Sequence, residues 1–209
     1  MKKSFENWLW QEIEESFGLA QKELPLLQEW LDNSSEIPAS EREQVKFLQT
    51  ILINNFRDWN EDELKMQFIA PLLLLINYYE IADYKAFSQR TLSAQIDKAE
   101  IYGRVDWMLA KGKQIPRKPF FLIHEYKSER GKDNDPQGQL LAEMLVAQTK
   151  NEDGKAIYGI YVIGKDWYFV VLKDKHYSVS RPYQANETPD LDVIVKALKE
   201  IKNIVKNYA

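Results

Sequence analysis

Glu125 and Lys127 stand two residues apart at the end of the apolar run in FFLIHEYKSE, residues 120–129. Side chains alternate along a strand, so these two share a face while His124 and Tyr126 take the other. Asp106 is a second charge out of place. It sits between Val105 and Trp107, inside a stretch of strand character, where aspartate is costly to bury unless it is paired or holds a metal. If strands 101–111 and 119–127 are hairpin partners, Asp106 comes close to Glu125, and adjacent carboxylates repel unless a cation lies between them. Lys127 supplies one positive charge; a divalent metal balances the group better. Oxygen ligands without cysteine or clustered histidine select magnesium or manganese over zinc. The competing expectation leaves Glu125 and Lys127 as a solvent-facing pair and Asp106 in a turn.

Several elements must position these residues. Residues 1–80 read as helical, with apolar positions spaced by three and four and breaks near Gly18 and Pro25. The loop NSSEIPAS ends in Ser40, the expected N-cap of a helix, with Glu43 completing a capping box. A further helix begins after Asn60 with acids in its first turn and then becomes broadly apolar, which marks it as buried. Pro71 is expected to kink it. Strand character covers 84–96, 101–112 and 119–127. A compact helix follows over 139–151, then a hairpin over 156–179 turning at Gly164–Lys165–Asp166, then an amphipathic helix over 189–208. The order predicts one mixed α/β unit, with residues 1–58 as a helical extension packed on a core of residues 59–209.

The chain of 209 residues is 44% apolar and 29% charged, as in an ordinary soluble protein, and its lack of cysteine removes disulfides and thiolate metal sites. That lack also fits a cytoplasmic protein. The N-terminus does not read as a signal peptide, and FIAPLLLLI, nine residues, is too short to cross a bilayer. A net charge of −4 argues mildly against a polyanionic partner. The charge is unevenly spread, however. Residues 1–80 hold seven Lys/Arg against fifteen Asp/Glu, whereas residues 85–132 hold eleven against five. The strands of Asp106 and Glu125 lie in that basic segment.

Together these features resemble the PD-(D/E)XK nuclease superfamily. The resemblance covers roughly residues 60–175 and rests on an acidic helix start at Glu63 in NEDELKMQF, the aspartate of GRVD, the (D/E)-x-K of HEYKSE, and a glutamine opening the next helix in DPQGQLLAEM. Val105 stands where the family's name has proline. The resemblance implies a restriction-endonuclease-like mixed sheet flanked by helices. It also implies a magnesium- or manganese-dependent nuclease hydrolysing phosphodiester bonds, with DNA the expected substrate. On that pattern Asp106 and Glu125 bind the metal, with the Tyr126 carbonyl as a further ligand. Lys127 orients the attacking water and helps to deprotonate it. Glu63 reaches in as a water-mediated ligand or as a partner of Lys127, and Gln139 lies near the scissile phosphate or holds Lys127.

The basic segment offers Arg104, Lys111, Lys113 and Arg130 as nucleic-acid contacts, and Arg104 serves equally well as a partner for a core carboxylate. A homodimer through the acidic N-terminal helices is implied by the symmetric cutting of duplexes in this class. Two rivals stand beside this reading. An inactive nuclease-fold binding or regulatory module is favoured by the pI of 5.4 and the absence of a DNA-reading motif. A nuclease of RNA or structured nucleic acid would use the same phosphate chemistry. Elsewhere, His124 reads as a packed or hydrogen-bonded strand residue, and Glu143, one turn after Gln139 on the same helix face, reads as a solvated acid in preference to an extension of the site. Gly103 marks a bulge or a close backbone approach. Trp59, Trp107 and Trp167 read as core residues able to stack a base.

Overall fold

The computed structural model describes residues 1–33, 35–129 and 135–208. In chain order its elements are β1 (Lys2–Ser4), α1 (Trp10–Phe17), β2 (Ala20–Gln21), α2 (Pro25–Leu31), α3 (Ala39–Asn55), α4 (Glu61–Leu64), a π turn (Lys65–Ile69) and α5 (Ala70–Ile76). Then come β3 (Tyr84–Ile96), β4 (Ala99–Gly112), β5 (Pro116–Lys127), α6 (Pro136–Asn151), β6 (Ile157–Ile163), β7 (Asp166–Lys173), β8 (His176–Val179), β9 (Tyr183–Gln184) and α7 (Thr188–Tyr208). The π turn lies directly ahead of Pro71. A proline ring donates no hydrogen bond and crowds the carbonyl four residues back, and the helix widens there into a π turn where the sequence suggested a kink.

Among the described residues nine strands make one mixed sheet in the order β1-β4-β5-β6-β7-β8-β2, with β3 against β4 and β9 against β7. β3, β4 and β5 are antiparallel, and α6 then crosses over to bring β6 parallel to β5. Helices α2, α3, α5 and α7 cover one face, and α1 and α6 the other. β5 is therefore buried on both sides, which is why its sequence is a continuous apolar run where a half-exposed strand would alternate.

The link from β4 to β5 is only three residues, shorter than the 112–118 turn that the sequence suggests. The register slips to compensate: three steps along β4 from Leu109 to Gly112 match six along β5 from Leu122 to Pro116. β3 follows β4 along its length, so β1 and β5 share the other edge of β4. β1 lies opposite Glu100–Tyr102, and β5 lies opposite Trp107–Gly112.

The first 58 residues are not purely helical. β1 pairs with β4, and β2 pairs with β8 in the same sheet. Nor does Ser40 cap α3. Pro38 holds that position without a side-chain bond, and Ser40 lies inside the first turn. Gly103 is a close approach, since a Cβ there would meet the Phe5 ring at 2.5 Å. No helix among the described residues is long and apolar enough to cross a membrane.

Candidate functional site

Pairing between β4 and β5 ends at Trp107 and His124. Asp106 lies one residue beyond, and its Oδ2 accepts the Tyr126 N–H at 3.2 Å. A side chain thus takes the place of the next rung. Asp106 Oδ1 accepts from Lys65 Nζ at 2.9 Å and from Gln89 Nε2 at 2.6 Å. Lys65 also meets Glu61 Oε1 at 2.5 Å, one helical turn earlier, and Glu61 Oε2 lies 3.7 Å from Lys127 Nζ. Lys127 in turn donates to Glu125 Oε1 at 2.5 Å. The arrangement is a chain of alternating charge, Asp106–Lys65–Glu61–Lys127–Glu125.

α6 adds one more acid from above. Glu143 is fully buried, and its Oε1 accepts from Gln139 Nε2 at 3.3 Å. The sequence suggested a solvated acid here, but α6 is buried on nearly all sides and carries Glu143 inward. Three unpartnered buried atoms meet on this side: among the described residues Glu125 Oε2, Glu143 Oε2 and Gln139 Oε1 have no hydrogen-bond partner.

Burial pushes the Glu125 carboxyl up to about 8, helped by the charge of Asp106 and resisted by Lys127. Burial raises Glu143 well above the carboxylate range, and Glu125 adds to the rise. For Lys127 burial disfavours the charge, but Glu125, Glu61 and Asp106 together outweigh it and the ammonium is held above its ordinary pKa; Lys65 behaves alike through Asp106 and Glu61. The pair is lopsided because Lys127 has several acids around it, whereas Glu125 is buried almost without water. On the other face of β5, His124 Nδ1 and the Tyr126 hydroxyl lie 2.7 Å apart, and burial lowers His124 to about 3. His124 is the packed strand residue expected, neutral at ordinary pH.

No protein-family model matches this chain, and no curated protein matches it. What the site can do rests on its own atoms. Among the described residues four carboxylates (Glu61, Asp106, Glu125, Glu143) face two ammoniums, which leaves two negative charges in excess when all are ionised. That excess and the unpartnered carboxylate oxygens suit a hard divalent cation in type and charge. Among the described residues no three His, Cys, Asp or Glu side chains are already gathered as a metal-holding group. Lys65 and Lys127 instead stand between the acids.

Of the residues singled out in the sequence, Asp106, Glu125, Lys127 and Gln139 share this locality, and Tyr126 contributes its backbone N–H. Glu63 does not. Its Oε2 accepts the Asn60 N–H and its own N–H donates to Asn60 Oδ1, a capping box that turns it away from the site. Glu61 takes the inward place. The spacing N-x-x-E announces that cap and would have redirected attention to Glu61 and Lys65. Arg104 is exposed and paired across the ladder with Thr91. Lys111 lies at the far end of β4 and Lys113 just past it in the link to β5, five and seven positions from Asp106, and so they do not line this cluster. Arg130 lies outside the described residues.

Gln89 gave no sequence signal. It sits inside β3 with a φ of 54°, between the paired residues Ser88 and Arg90 and across from Asp106. A bulky residue in that region is strained, and such strain gathers at functional sites.

Proposed function

We propose that this chain is a metal-dependent nuclease that hydrolyses phosphodiester bonds, with DNA as the expected substrate. One observation carries the reading: acids from β4, β5, α4 and α6 close on two lysines, and two of those acids keep an unpartnered buried oxygen. The order of helix, three antiparallel strands, helix and parallel strand also supports a restriction-endonuclease-like core.

Asp106 and Glu125 would hold magnesium or manganese, with Glu143 and Glu61 near enough in charge to tune it. When bound, the metal would acidify a water and offset charge on the phosphate. Lys127 is kept as an ammonium by Glu125 and Glu61. It is therefore suited to orient the water by donation and to balance the transferring phosphoryl oxygens, not to accept the water's proton. Lys65 has the same character and can release Asp106 to meet a phosphate. Gln139 holds Glu143 in place.

The test is cleavage of circular, linear and single-stranded DNA and of RNA with magnesium or manganese, beside Lys127→Ala and Asp106→Ala. Metal-dependent cutting that both substitutions abolish is the expected result. No cutting by the wild type, and no thermal stabilisation by metal, overturns it.

A second reading has its own observation. Both oxygens of Asp106 are already satisfied by Lys65, Gln89 and the Tyr126 N–H, as in a scaffold that needs no metal. A nuclease-fold binding module would keep that arrangement and show no metal dependence.

A further inference from the structure

Two hollows lie along β3 and β4 on the side facing α5, and Tyr79 lines both. The first begins at Asp106, Lys65 and Gln89 and has a volume of about 350 Å³. Beyond Asp62 and Lys65 its helical wall is apolar. Met66, Leu74 and Tyr79 stand there 75%, 68% and 66% exposed. The second, about 1000 Å³, surrounds the β4–β5 turn. Among the described residues five cations line it, Lys85, Lys111, Lys113, Arg117 and Lys118, with one lining acid, Asp83, and Lys118 is paired with Glu152 at 3.1 Å.

The strand register joins the two. Ser88 pairs with Trp107, Ala86 with Leu109 and Tyr84 with Lys111. Residues two apart share a face, so Ser88, Ala86 and Tyr84 pave one strip from the Asp106 end to the basic end. Five steps along β4 lead from Asp106 to Lys111, about 17 Å of strand. At the basic end Lys111 Nζ lies 5.5 Å from the centre of the Tyr84 ring.

We propose that this track binds a single strand of nucleic acid, with bases on the apolar strip and backbone phosphates on the basic hollow. The inference rests on the nuclease reading for what happens at the Asp106 end, and it supplies the substrate class: an unpaired strand or end in place of an intact duplex. A duplex shows its phosphates outward, so a surface made for it should carry cations throughout. Here the middle of the track has Met66, Leu73, Leu74 and Tyr79 instead. An unpaired strand meets such a surface with its bases, as single-strand binders do by combining aromatic platforms with a charged groove. The basic segment and the acidic cluster then belong to one path, although they sit at opposite ends of β4.

Fluorescence anisotropy tests this with a labelled oligothymidine of about 12 nucleotides and a blunt duplex of equal length. EDTA is present, so binding is read without metal-dependent cutting. The single strand is expected to bind about tenfold tighter or more, the worth of one stacked base. Tyr79→Ala should remove about tenfold of that affinity and leave its salt dependence unchanged. Lys113→Ala with Arg117→Ala, both exposed and expected to melt as wild type, should lower the slope of log affinity against log salt by about 1.4, two phosphate contacts' worth. Equal or tighter duplex binding, no measurable binding, or an unchanged salt slope in the double variant overturns the proposal. Single-strand preference without cutting under any metal refutes the nuclease reading and leaves this one standing. Duplex cutting with no single-strand preference does the reverse.

Discussion

Asp106 and Glu125 are carboxylates on neighbouring strands, each beside a lysine, yet their surroundings differ. Around Asp106 the side chain is 11% exposed and both oxygens are engaged by three donors. Around Glu125 the side chain is 1% exposed, one oxygen has a lysine, and the other has no partner among the described residues. Glu143 repeats that deficit from α6. One half of the cluster is closed electrostatically, and the other is short of positive charge or of a proton. The open half is where a cation would change the protein most.

The largest expected effect comes from removing Lys127. Lys127→Ala leaves Glu125 buried without its partner, and breaking such a pair costs about 3 kcal/mol or more. Chemical denaturation near pH 10, where wild-type Glu125 is ionised, should register that loss, and most of it should vanish near pH 5, where Glu125 is protonated. A loss that ignores pH would mean packing, not charge, dominates here.

Of comparable size is the effect of pH itself. The folded pKa of Glu125 is raised from 4.5 to about 8, so between those values the folded state holds a proton that the unfolded chain has released. Stability is then full below the lower value and falls as pH rises through the window, by about 1.4 kcal/mol per pH unit for one proton. Glu125→Gln should flatten that fall, and magnesium should reduce it in the wild type. A wild-type stability curve flat from pH 5 to 8 would remove the contrast with Asp106.

Two neighbouring glutamates sharpen the comparison further. Glu63→Ala should cost about 1 kcal/mol of stability through the lost cap and leave metal response and cleavage intact. Glu61→Ala should do the opposite, altering metal response more than the melting point. Smallest of all is Gln89. Gln89→Ala loses its bond to Asp106 and keeps the strained backbone, at a cost of about 1 kcal/mol, and Gln89→Gly should recover a few tenths by relieving φ. If alanine and glycine behave alike by thermal melting, the strain at Gln89 is negligible.

The three-strand meander was legible because β-branched and aromatic runs are bounded by Gly and Pro, and the closeness of Asp106 to Glu125 followed from it. The route was not legible: the short β4–β5 link meets the same end through a register slip, which depends on bulges that leave no periodic mark. β1 and β2 were missed because strands of three and two residues are too short to show alternation. Glu63 was preferred to Glu61 because acids in a helix's first turn look alike until the cap is assigned. Glu143 was expected in solvent, since only the packing of α6 between sheet and α1 reveals that it has no exposed face. The basic residues Lys111 and Lys113 were grouped with the cluster by sequence proximity, whereas an extended strand carries five residues far away.

The pairing of β2 with β8 bears on how the chain reaches this state. Ala20 lies in register with His176, so an early segment closes the sheet only once nearly all the rest has formed. Contacts of such sequence separation are slow to find. During synthesis the N-terminal strands emerge first and wait longest, and sealing them into the sheet is expected to be the late, rate-setting event of folding.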